Sequence, residues 1–347
     1  MIRSLRARAR DFAYRHVGGT ALVLIYHRVA NLERDPQALA VSVANFEEQM
    51  TLLSENYHVV SLGDLAAGIR ANRVPDRSVA VTFDDGYSDN LLNGAPALAR
   101  CGVPATMFVC SGYANGTREF WWDEVERLVL APGELPRRIE LPANGSATFA
   151  FDLGDFATYR PEQSASDATW TTLAAPTNRR QRMYADLCAF LKPLSLHERS
   201  SVLQGLREAA GLAPAPREVN RQLTAQEVHK LDWAQEIRVG GHTRSHPVLS
   251  ARTTAEQRFE ILEDHDALSG MCGRPPESFS YPFGGFDDYT DETIAIVREA
   301  GYTHACANHP GVVKPWIDPY RIPRNLVRDW DAETFSAKLK GWFDDPR

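Results

Sequence analysis

The stretch VTFDDGYSDN (residues 81–90) decides how the rest of the sequence is interpreted. A strand-forming run, SVAVTF, ends here in two adjacent carboxylates, Asp84 and Asp85, followed by a glycine. Neighbouring carboxylates repel each other when both are ionised and unpaired, so either a partner stabilises one of them or the pair does chemistry. A single aspartate at this place would be explained as a helix N-cap, but two in succession are less easily explained in that way.

Strand-like and helix-like segments alternate on both sides of this stretch. The strand-like segments are ALVLIYHRV, HVVSL, SVAVTF and ATMFVC, then EIRVGGH, SFSYPFG and THACAN. The helix-like segments include FEEQMTLLSENY, NGAPALARCG, AEQRFEILEDHDALSGM and DETIAIVREAG. This alternation predicts an α/β fold with a mostly parallel sheet, and the length of the chain is compatible with closure of the sheet into a barrel.

The segment from about residue 116 to residue 222 interrupts the alternation. It contains Pro-, Gly- and Ala-rich pieces such as APGELP and GLAPAPRE, with the helix-like QRMYADLCAFLKPL among them. Long insertions between strand–helix units usually lie over the functional face of a domain. We predict a single domain over residues 20–347, with residues 116–222 as an insertion over one face.

Composition and charge argue against several classes of protein. The net charge of −7 disfavours a nucleic-acid partner, because nucleic-acid binders usually have a basic balance. No apolar run approaches the roughly 18 residues of a membrane-spanning helix, and ALVLIY is too short for the apolar part of a secretory signal. The five cysteines are scattered and odd in number, which favours a reducing compartment. We therefore expect a cytoplasmic protein.

Residues 1–19 predict a basic amphipathic helix. Apolar side chains recur at helical spacing, and five arginines lie mostly elsewhere: Arg3, Arg6, Arg8, Arg10 and Arg15. The interpretation that we favour slightly is a surface helix packed on the domain. The alternative is peripheral contact with the anionic inner surface of a membrane.

Two histidines follow another predicted strand. His242 and His246 lie in GGHTRSHPVLS directly after EIRVGG, and on a helical turn their spacing of four would place both imidazoles on one side. Reactive groups of α/β sheets and barrels gather at the carboxyl ends of the strands. Alone, the two histidines would be interpreted as surface residues. Together with a strand-end aspartate, they match the three-ligand open site that catalytic zinc uses.

A metal site would explain the aspartate doublet, because one carboxylate would hold the ion and the other would handle a proton. A bound zinc ion lowers the pKa of water from ~15.7 to about 7 in favourable sites, within reach of a carboxylate base. We therefore predict one divalent metal ion as the cofactor. Zn²⁺ is the first choice for two imidazoles and a carboxylate, and Co²⁺, Ni²⁺ and Fe²⁺ also suit such ligands.

Two further segments gain interest if the metal site is real. His27 ends the first predicted strand in YHR, and histidine is the side chain that most commonly protonates a leaving group. Phe283 lies in a predicted turn in SYPFGGFDD, where its backbone N–H could point at an oxyanion. Without the metal site, the first would be an ordinary core or surface histidine and the second an ordinary turn.

The motifs TFDDG, HTxxH and a downstream PFG together resemble the polysaccharide deacetylases of carbohydrate esterase family four, also called the NodB homology domain. YHRV, FEEQMTLL, GVPATMFV and RIPRNLV resemble the branch found in exopolysaccharide biosynthesis, with the poly-N-acetylglucosamine deacetylases. The resemblance covers residues 20–110 and 235–330. It implies a deformed (β/α) barrel and metal-dependent hydrolysis of an N-acetyl or O-acetyl group.

The resemblance also implies a role for individual residues. The implied general base is Asp84, the metal ligands are Asp85, His242 and His246, the general acid is His27, and the backbone oxyanion donor is Phe283. Candidates for substrate contact are Tyr87, Trp122 and Arg324, although aromatic rings more often pack in a core.

Two departures from the family pattern bear on these roles. Many members carry an arginine near the catalytic aspartate where this chain has Ser280, and our hypothesis is that Arg321 or Arg324, in YRIPRN, takes its place. The chain also has no clear late Leu-x-His motif, which supplies the acid in other branches, so the assignment of His27 becomes more necessary.

We expect an enzyme, a hydrolase of non-peptide carbon–nitrogen bonds, that removes an acetyl group from an amino sugar of a glycan or of a lipid-linked glycan precursor. Two alternatives stay open at this point. The same scaffold could serve a deformylase or another small-amide hydrolase. The chain could also be an inactive carbohydrate-binding homologue, for which Ser280 leaves room.

Overall fold

The computed structural model describes residues 19–115, 118–143, 147–233 and 236–344. Apart from Gly19, the predicted amino-terminal helix lies outside the described residues. Within the described part of the chain, no helix has both the length and the apolar character needed to cross a membrane.

The first third of the chain alternates strands and helices, as predicted. Its strands are β1 (Ala21–Tyr26), β2 (Arg28–Val29), β3 (Ala40–Val41), β4 (His58–Val59), β5 (Ser78–Phe83) and β6 (Ala105–Val109), and its helices are α1 (Val43–Asn56), α2 (Leu62–Arg70) and α3 (Ala95–Cys101). The predicted strand ALVLIYHRV is interrupted at His27. HVVSL is a shorter strand than predicted, because the Ser61 side chain accepts a hydrogen bond from the Asp64 N–H and starts α2.

The middle of the chain forms small antiparallel sheets and helices. In chain order the elements are α4 (Trp121–Val129), β7 (Gly133–Glu134), β8 (Arg138–Ala143), β9 (Ala147–Asp152), β10 (Thr158–Tyr159), α5 (Pro161–Ser166), α6 (Arg179–Leu191) and α7 (Leu196–Ala210). The strands pair as β7 with β10 and β8 with β9.

The remaining elements resume the alternation. They are α8 (Ala225–Asp232), β11 (Ile237–Gly241), α9 (Thr254–Cys272), β12 (Ser278–Ser280), α10 (Asp291–Glu299), β13 (His304–Cys306), β14 (Asn325–Leu326) and α11 (Ala332–Asp344). Gly273 ends α9 in the left-handed conformation that glycine adopts without strain.

Among the described residues, eight strands form one sheet in the order β13–β12–β11–β6–β5–β1–β14, with β4 also paired to β5. Every pairing in it is parallel. The sheet curls into a half-barrel, and the segment after β13 continues along its edge, where the Ala307 N–H donates to the Ile322 carbonyl at 2.9 Å. The predicted α/β fold with a deformed barrel is confirmed.

Both faces of the central strands are buried, as expected of a parallel sheet covered by helices. Leu22, Leu24 and Val81 point outward and belong to the same cluster as Phe46 and Met50 of α1. On the other face, a second cluster fills the interior of the curled sheet with Ala21, Val23, Ala80 and Phe108. Burial of each large apolar side chain contributes about 1.5–3 kcal/mol, so these layers fix the strands that carry the site.

The middle segment has a hydrophobic cluster of its own. Trp121, Leu187 and Leu203 pack there, and the cluster also includes Tyr87 and Cys110, which follow β5 and β6. The described part of the segment therefore lies over the carboxyl ends of the barrel strands. Its assignment as an insertion in a single domain stays a prediction.

Candidate active site and metal centre

The parallel strands bring their carboxyl ends to one edge of the half-barrel, where a cavity opens. Its volume is about 530 Å³, within the usual range of small-ligand sites. Six residues predicted to act in catalysis or metal binding border this cavity: His27, Asp84, Asp85, His242, His246 and Phe283. The structure thus brings together groups that are up to 256 positions apart in the sequence.

The three predicted metal ligands meet in a geometry that fits a small cation. Nε2 of His242 lies 3.6 Å from Oδ1 of Asp85, and Nε2 of His246 lies 3.4 Å from the same oxygen. The ligand atoms all lie within 4.8 Å of one another. With ion–ligand bonds of about 2.0–2.2 Å, a tetrahedral zinc ion would separate its ligand atoms by ~3.3–3.5 Å. The residues present therefore fit a metal ion.

Both imidazoles can act as neutral ligands. Nδ1 of His242 lies 2.7 Å from the carbonyl oxygen of Ser280, which can only accept, so Nδ1 carries a proton. In the neutral imidazole the lone pair is then on Nε2, which faces Asp85. Burial lowers the pKa of His246 to about 3, which leaves this imidazole uncharged at neutral pH. Burial also lowers the pKa of His242, but Asp84 and Asp85 more than offset this effect and the net shift is upward.

Strained backbone surrounds the predicted metal ligands. Seven non-glycine residues of the described chain have positive φ, and four of them are in the site: Asp85 at 77°, Thr243 at 65°, His246 at 56° and Phe283 at 60°. Such conformations cost of order 1–3 kcal/mol each and persist where the surrounding structure enforces them.

The prediction that a helical turn aligns the two histidines is wrong. Residues 242–248 form an irregular loop, not a helix. Within it, the Thr243 hydroxyl accepts a hydrogen bond from the His246 N–H at 3.0 Å. The left-handed conformations of Thr243 and His246 turn the second imidazole back toward the first.

Asp84 is held by an arginine. Nη1 and Nη2 of Arg324 lie 2.6 and 2.7 Å from the two carboxylate oxygens, and Nη2 also lies 2.8 Å from the Ser280 hydroxyl. Burial alone would raise the pKa of Asp84, but the Arg324 guanidinium and His242 hold it well below its usual range. Asp84 is therefore ionised at neutral pH, which a proton acceptor requires.

The hypothesis that an arginine replaces the one missing at Ser280 fits Arg324 and not Arg321. Arg321 lies at the surface, where it pairs with Asp291. The bidentate contact of Arg324 also contradicts its predicted role in substrate contact, because the side chain is buried beneath Asp84 with 1% of its surface exposed.

The other two predicted substrate contacts differ in position. Tyr87 is fully buried and donates a hydrogen bond to Asp123 at 2.7 Å, and it does not border the cavity. It is a packing residue, which corrects the prediction. Trp122 does border the cavity, with its ring centroid 5.1 Å from that of His246.

His27 sits between β1 and β2 with its side chain at the cavity. Among the described residues, its Nδ1 is buried without a hydrogen-bond partner. Burial lowers the pKa of His27, and Asp85 and Asp84 offset only part of this shift. The imidazole is therefore mostly neutral in the resting site.

Several residues of the cavity were not foreseen from the sequence. Lys192, at the end of α6, has its Nζ 2.9 Å from Oδ1 of Asp288 and 4.5 Å from the centre of the Phe283 ring. Asn308 and Arg328 border the cavity from the barrel side. No local motif marks these residues, because the position of Lys192 depends on how the middle segment folds over the barrel and those of Asn308 and Arg328 depend on how the end of the sheet curls.

Comparison of the sequence with known protein families gives a match that does not rely on the geometry of the site. A model of the family described as polysaccharide deacetylase matches residues 71–135 and 216–305. These ranges contain the two aspartates and the two histidines, whereas His27 and Arg324 lie outside them. YxkH of Bacillus subtilis (strain 168), which is named as a polysaccharide deacetylase, is 30% identical over 89 residues, or 25% of this chain. The match spans 30% of the length of YxkH.

Two solved structures have a similar fold over nearly the whole chain. The Streptococcus pyogenes deacetylase PplD, in complex with acetate, has a TM-score of 0.53 at 15% identity, covering 93% of this chain and 99% of PplD. IcaB from Ammonifex degensii has a TM-score of 0.55 at 17% identity, covering 94% of this chain and 98% of IcaB. At these identities the likeness is one of fold, and it confirms the deformed barrel.

Proposed function

We propose that this chain is a member of the polysaccharide deacetylase family, whose model matches residues 71–135 and 216–305, and that it is a metal-dependent hydrolase that removes an acetyl group from an amino sugar of a glycan. One observation carries the proposal. A buried carboxylate and two buried imidazoles converge at distances that suit one cation, and a second carboxylate lies beside them, held ionised by an arginine.

Asp85, His242 and His246 would hold the ion. We propose Zn²⁺, since its preferred ligands include imidazole and carboxylate, and Co²⁺, Ni²⁺ and Fe²⁺ also suit these side chains. When bound, such an ion supplies a Lewis acid and lowers the pKa of water.

The protein groups around the ligands would handle the protons. Asp84, fixed by Arg324 at 2.6 and 2.7 Å, would take a proton from the attacking water as the water oxygen bonds to the acetyl carbon. The Phe283 N–H would donate a hydrogen bond to the carbonyl oxygen as negative charge develops on it. His27 would then protonate the nitrogen as the carbon–nitrogen bond breaks, which yields acetate and a free amine. Because His27 is mostly neutral at rest, this role requires that it gain a proton during turnover.

The substrate would enter against a mixed polar and aromatic surface. Trp121 and Trp122 border the cavity on one side, and flat apolar rings can pack against the apolar face of a sugar. We propose an N-acetylated amino sugar in a glycan or lipid-linked glycan precursor, with O-acetyl removal as a variant of the same chemistry.

The test is acetate release from N-acetylglucosamine oligomers by protein stripped of metal and then given Zn²⁺. We expect activity only after metal is restored, and no activity from Asp85→Ala under either condition. Equal activity before and after metal removal would overturn the metal dependence. Release of formate from an N-formylated oligomer at a higher kcat/KM than acetate would favour the deformylase alternative.

The location of the protein is a separate proposal. We propose that it is cytoplasmic. Because a lipid-linked glycan precursor would lie at the membrane, we also propose the alternative for residues 1–19, contact with the inner membrane surface through their arginines, over packing on the domain. Co-sedimentation with vesicles of anionic phospholipid tests this. We expect binding by the full chain and loss of binding when Arg3, Arg6, Arg8, Arg10 and Arg15 are changed to Gln. Equal binding by both proteins would exclude the contact.

A further inference from the structure

Helix α9 presents two buried carboxylates to the loop that carries the metal-binding histidines. Glu260 and Asp264 lie one helical turn apart, so their side chains share one face of the helix. Asp264 is fully buried and Glu260 is 9% exposed. Buried carboxylates need hydrogen-bond donors, and here backbone N–H groups of the site supply them.

Asp264 connects the ends of two barrel strands. Its Oδ1 accepts from the Ser111 N–H at 3.0 Å, two residues after β6. Its Oδ2 accepts from the N–H of His242 at 3.1 Å, directly after β11. The backbone of one metal ligand is therefore fixed by the same carboxylate that fixes the neighbouring strand end.

Glu260 holds the other half of the loop. Its Oε2 accepts from the Ser245 N–H at 2.8 Å, and its Oε1 accepts from the Ser245 hydroxyl at 2.5 Å. Ser245 directly precedes His246, so the two carboxylates together hold the loop next to both metal-binding histidines.

The last residue of β11 is Gly241, which leaves room for the side chain of Asp264. A Cβ atom on Gly241 would lie 2.8 Å from Oδ2 of Asp264 and 2.0 Å from the hydroxyl oxygen of Tyr302. Real Cβ atoms do not approach other atoms so closely, so a side chain at position 241 would force Tyr302 and Asp264 to shift. The contact is therefore built into the strand as well as into the helix.

We infer that Asp264 is a positioning residue of the metal site, which sets the place of His242 relative to Asp85 through the backbone, and that Glu260 supports His246 in the same way. The inference rests on the proposed function in so far as it assumes that Asp85, His242 and His246 hold a metal ion. Loss of partners behind the ligands of a metal site typically weakens metal affinity by about 10–100-fold.

The roles of Asp264 and Glu260 can be tested separately, because their hydrogen-bond partners differ. Both partners of Asp264 are backbone N–H groups, so Asp264→Asn would direct an amide N–H₂ at one of these donors. Glu260→Gln can be accommodated, because its oxygen can accept from the Ser245 N–H while its N–H₂ donates to the Ser245 hydroxyl. Asp266→Asn is the matched control, since Asp266 lies on the same helix with 85% of its side chain exposed.

The measurements are Zn²⁺ affinity by competition with a chromophoric chelator and the visible absorption spectrum of the Co²⁺-loaded protein. We expect Asp264→Asn to lose about 10-fold or more in Zn²⁺ affinity and to alter the Co²⁺ bands. Glu260→Gln should stay within about 3-fold of the wild type, since its hydrogen bonds are retained. Asp266→Asn should match the wild type in both measurements.

The outcomes separate the inference from the proposed function. If the wild-type protein binds no Zn²⁺, the proposed function fails. If it binds Zn²⁺ and Asp264→Asn binds equally well with the same Co²⁺ spectrum, the inference is overturned and the function stands. If Asp264→Asn does not fold, Glu260→Ala is compared with Glu260→Gln: a loss of about 10-fold confined to the alanine variant supports the positioning of the loop, and equal affinities of both variants and the wild type overturn it.

Discussion

The two ends of the barrel carry cavities of similar size, about 530 Å³ at the carboxyl end and about 550 Å³ at the amino end. In the amino-end cavity, both oxygens of the Asp232 carboxylate accept hydrogen bonds. The carboxylate accepts two hydrogen bonds from Arg274 at 2.7 Å each and one from the Val239 N–H at 2.9 Å. At the carboxyl end, Asp85 has two imidazoles at 3.4 and 3.6 Å, which is beyond hydrogen-bonding distance.

The comparison shows that cavity volume alone does not identify the end of the barrel that carries the candidate active site. What distinguishes the carboxyl end is a set of buried polar groups that converge on one point without satisfying one another. The strained φ angles of Asp85, Thr243, His246 and Phe283 lie at the same end. At the amino end, Asp232 forms a closed pair with Arg274. Nε2 of His304, which borders the same cavity, is buried without a hydrogen-bond partner among the described residues, but it stands alone and does not converge with other such groups.

The strongest test of this comparison is Asp84→Asn. We expect kcat/KM for acetate release to fall about 10²–10⁴-fold, since removal of a general base typically costs that much. Bound Zn²⁺ should remain near one per chain, because the three predicted ligands are untouched. Full turnover by a metal-loaded Asp84→Asn protein would show that this carboxylate is not the base.

The sequence predicted the four strand-end motifs because three of them place aspartate or histidine directly after a strand-like run, and the fourth, SYPFGGFDD, contains turn-forming Pro and Gly after such a run. It could not predict why the two histidines face each other, because their spacing does not encode the left-handed backbone at Thr243 and His246. In the same loop, the N–H groups of His242 and Ser245 donate to Asp264 and Glu260, which lie 22 and 15 positions further along the chain. Nor could it choose between Arg321 and Arg324, which lie three positions apart in one motif. Only the curling of the sheet decides which of them reaches Asp84.

His27→Gln should have the next largest effect, and the effect should depend on the leaving group. On an N-acetyl sugar we expect kcat to fall about 10²-fold, because the departing nitrogen needs a proton. On 4-nitrophenyl acetate, whose leaving group departs as an anion, the loss should be several-fold at most. Equal losses on the amide and on the activated ester would argue that His27 supports the site and is not the acid.

Arg324→Lys tests the contact between Arg324 and Asp84. In this chain, Arg324 takes the place of the arginine that many family members carry at the position of Ser280. Lysine keeps the charge but cannot make the two parallel hydrogen bonds that hold Asp84. We expect kcat to fall by about 10-fold, since a misplaced base loses efficiency, with a smaller loss for Ser280→Ala. A kinetic assay at saturating metal tests this, and wild-type kcat in Arg324→Lys would contradict it.

A substitution at the amino end of the barrel should change the stability of the protein and not its activity. Asp232→Asn weakens the contact with Arg274 and the Val239 N–H, and we expect a loss of about 1–3 kcal/mol in the free energy of unfolding, as for hydrogen bonds to a charged group. Urea denaturation gives the stability, and kcat for acetate release should match the wild type under folding conditions. A fall in kcat without a fall in stability would mean that the amino end takes part in turnover.

The last prediction is a pH dependence of stability at the amino end. Burial, together with nearby Arg70, lowers the pKa of His304 to about 4, against about 6.5 for an exposed histidine. Between these values the unfolded chain binds a proton that the folded protein does not bind. Acidification from pH ~6.5 to ~4 should therefore reduce the free energy of unfolding, by at most about 1.4 kcal/mol per pH unit from this group.

His304→Gln removes this contribution, so its stability should fall less steeply with acidification than that of the wild type. Denaturant midpoints at several pH values measure the two slopes. The pKa of His246 is also lowered, at the carboxyl end, but His246 is one of the three predicted metal ligands, whereas His304 borders the other cavity. The difference between wild type and His304→Gln should therefore be the same with and without Zn²⁺, and a difference that changes with Zn²⁺ would show that the two ends are coupled.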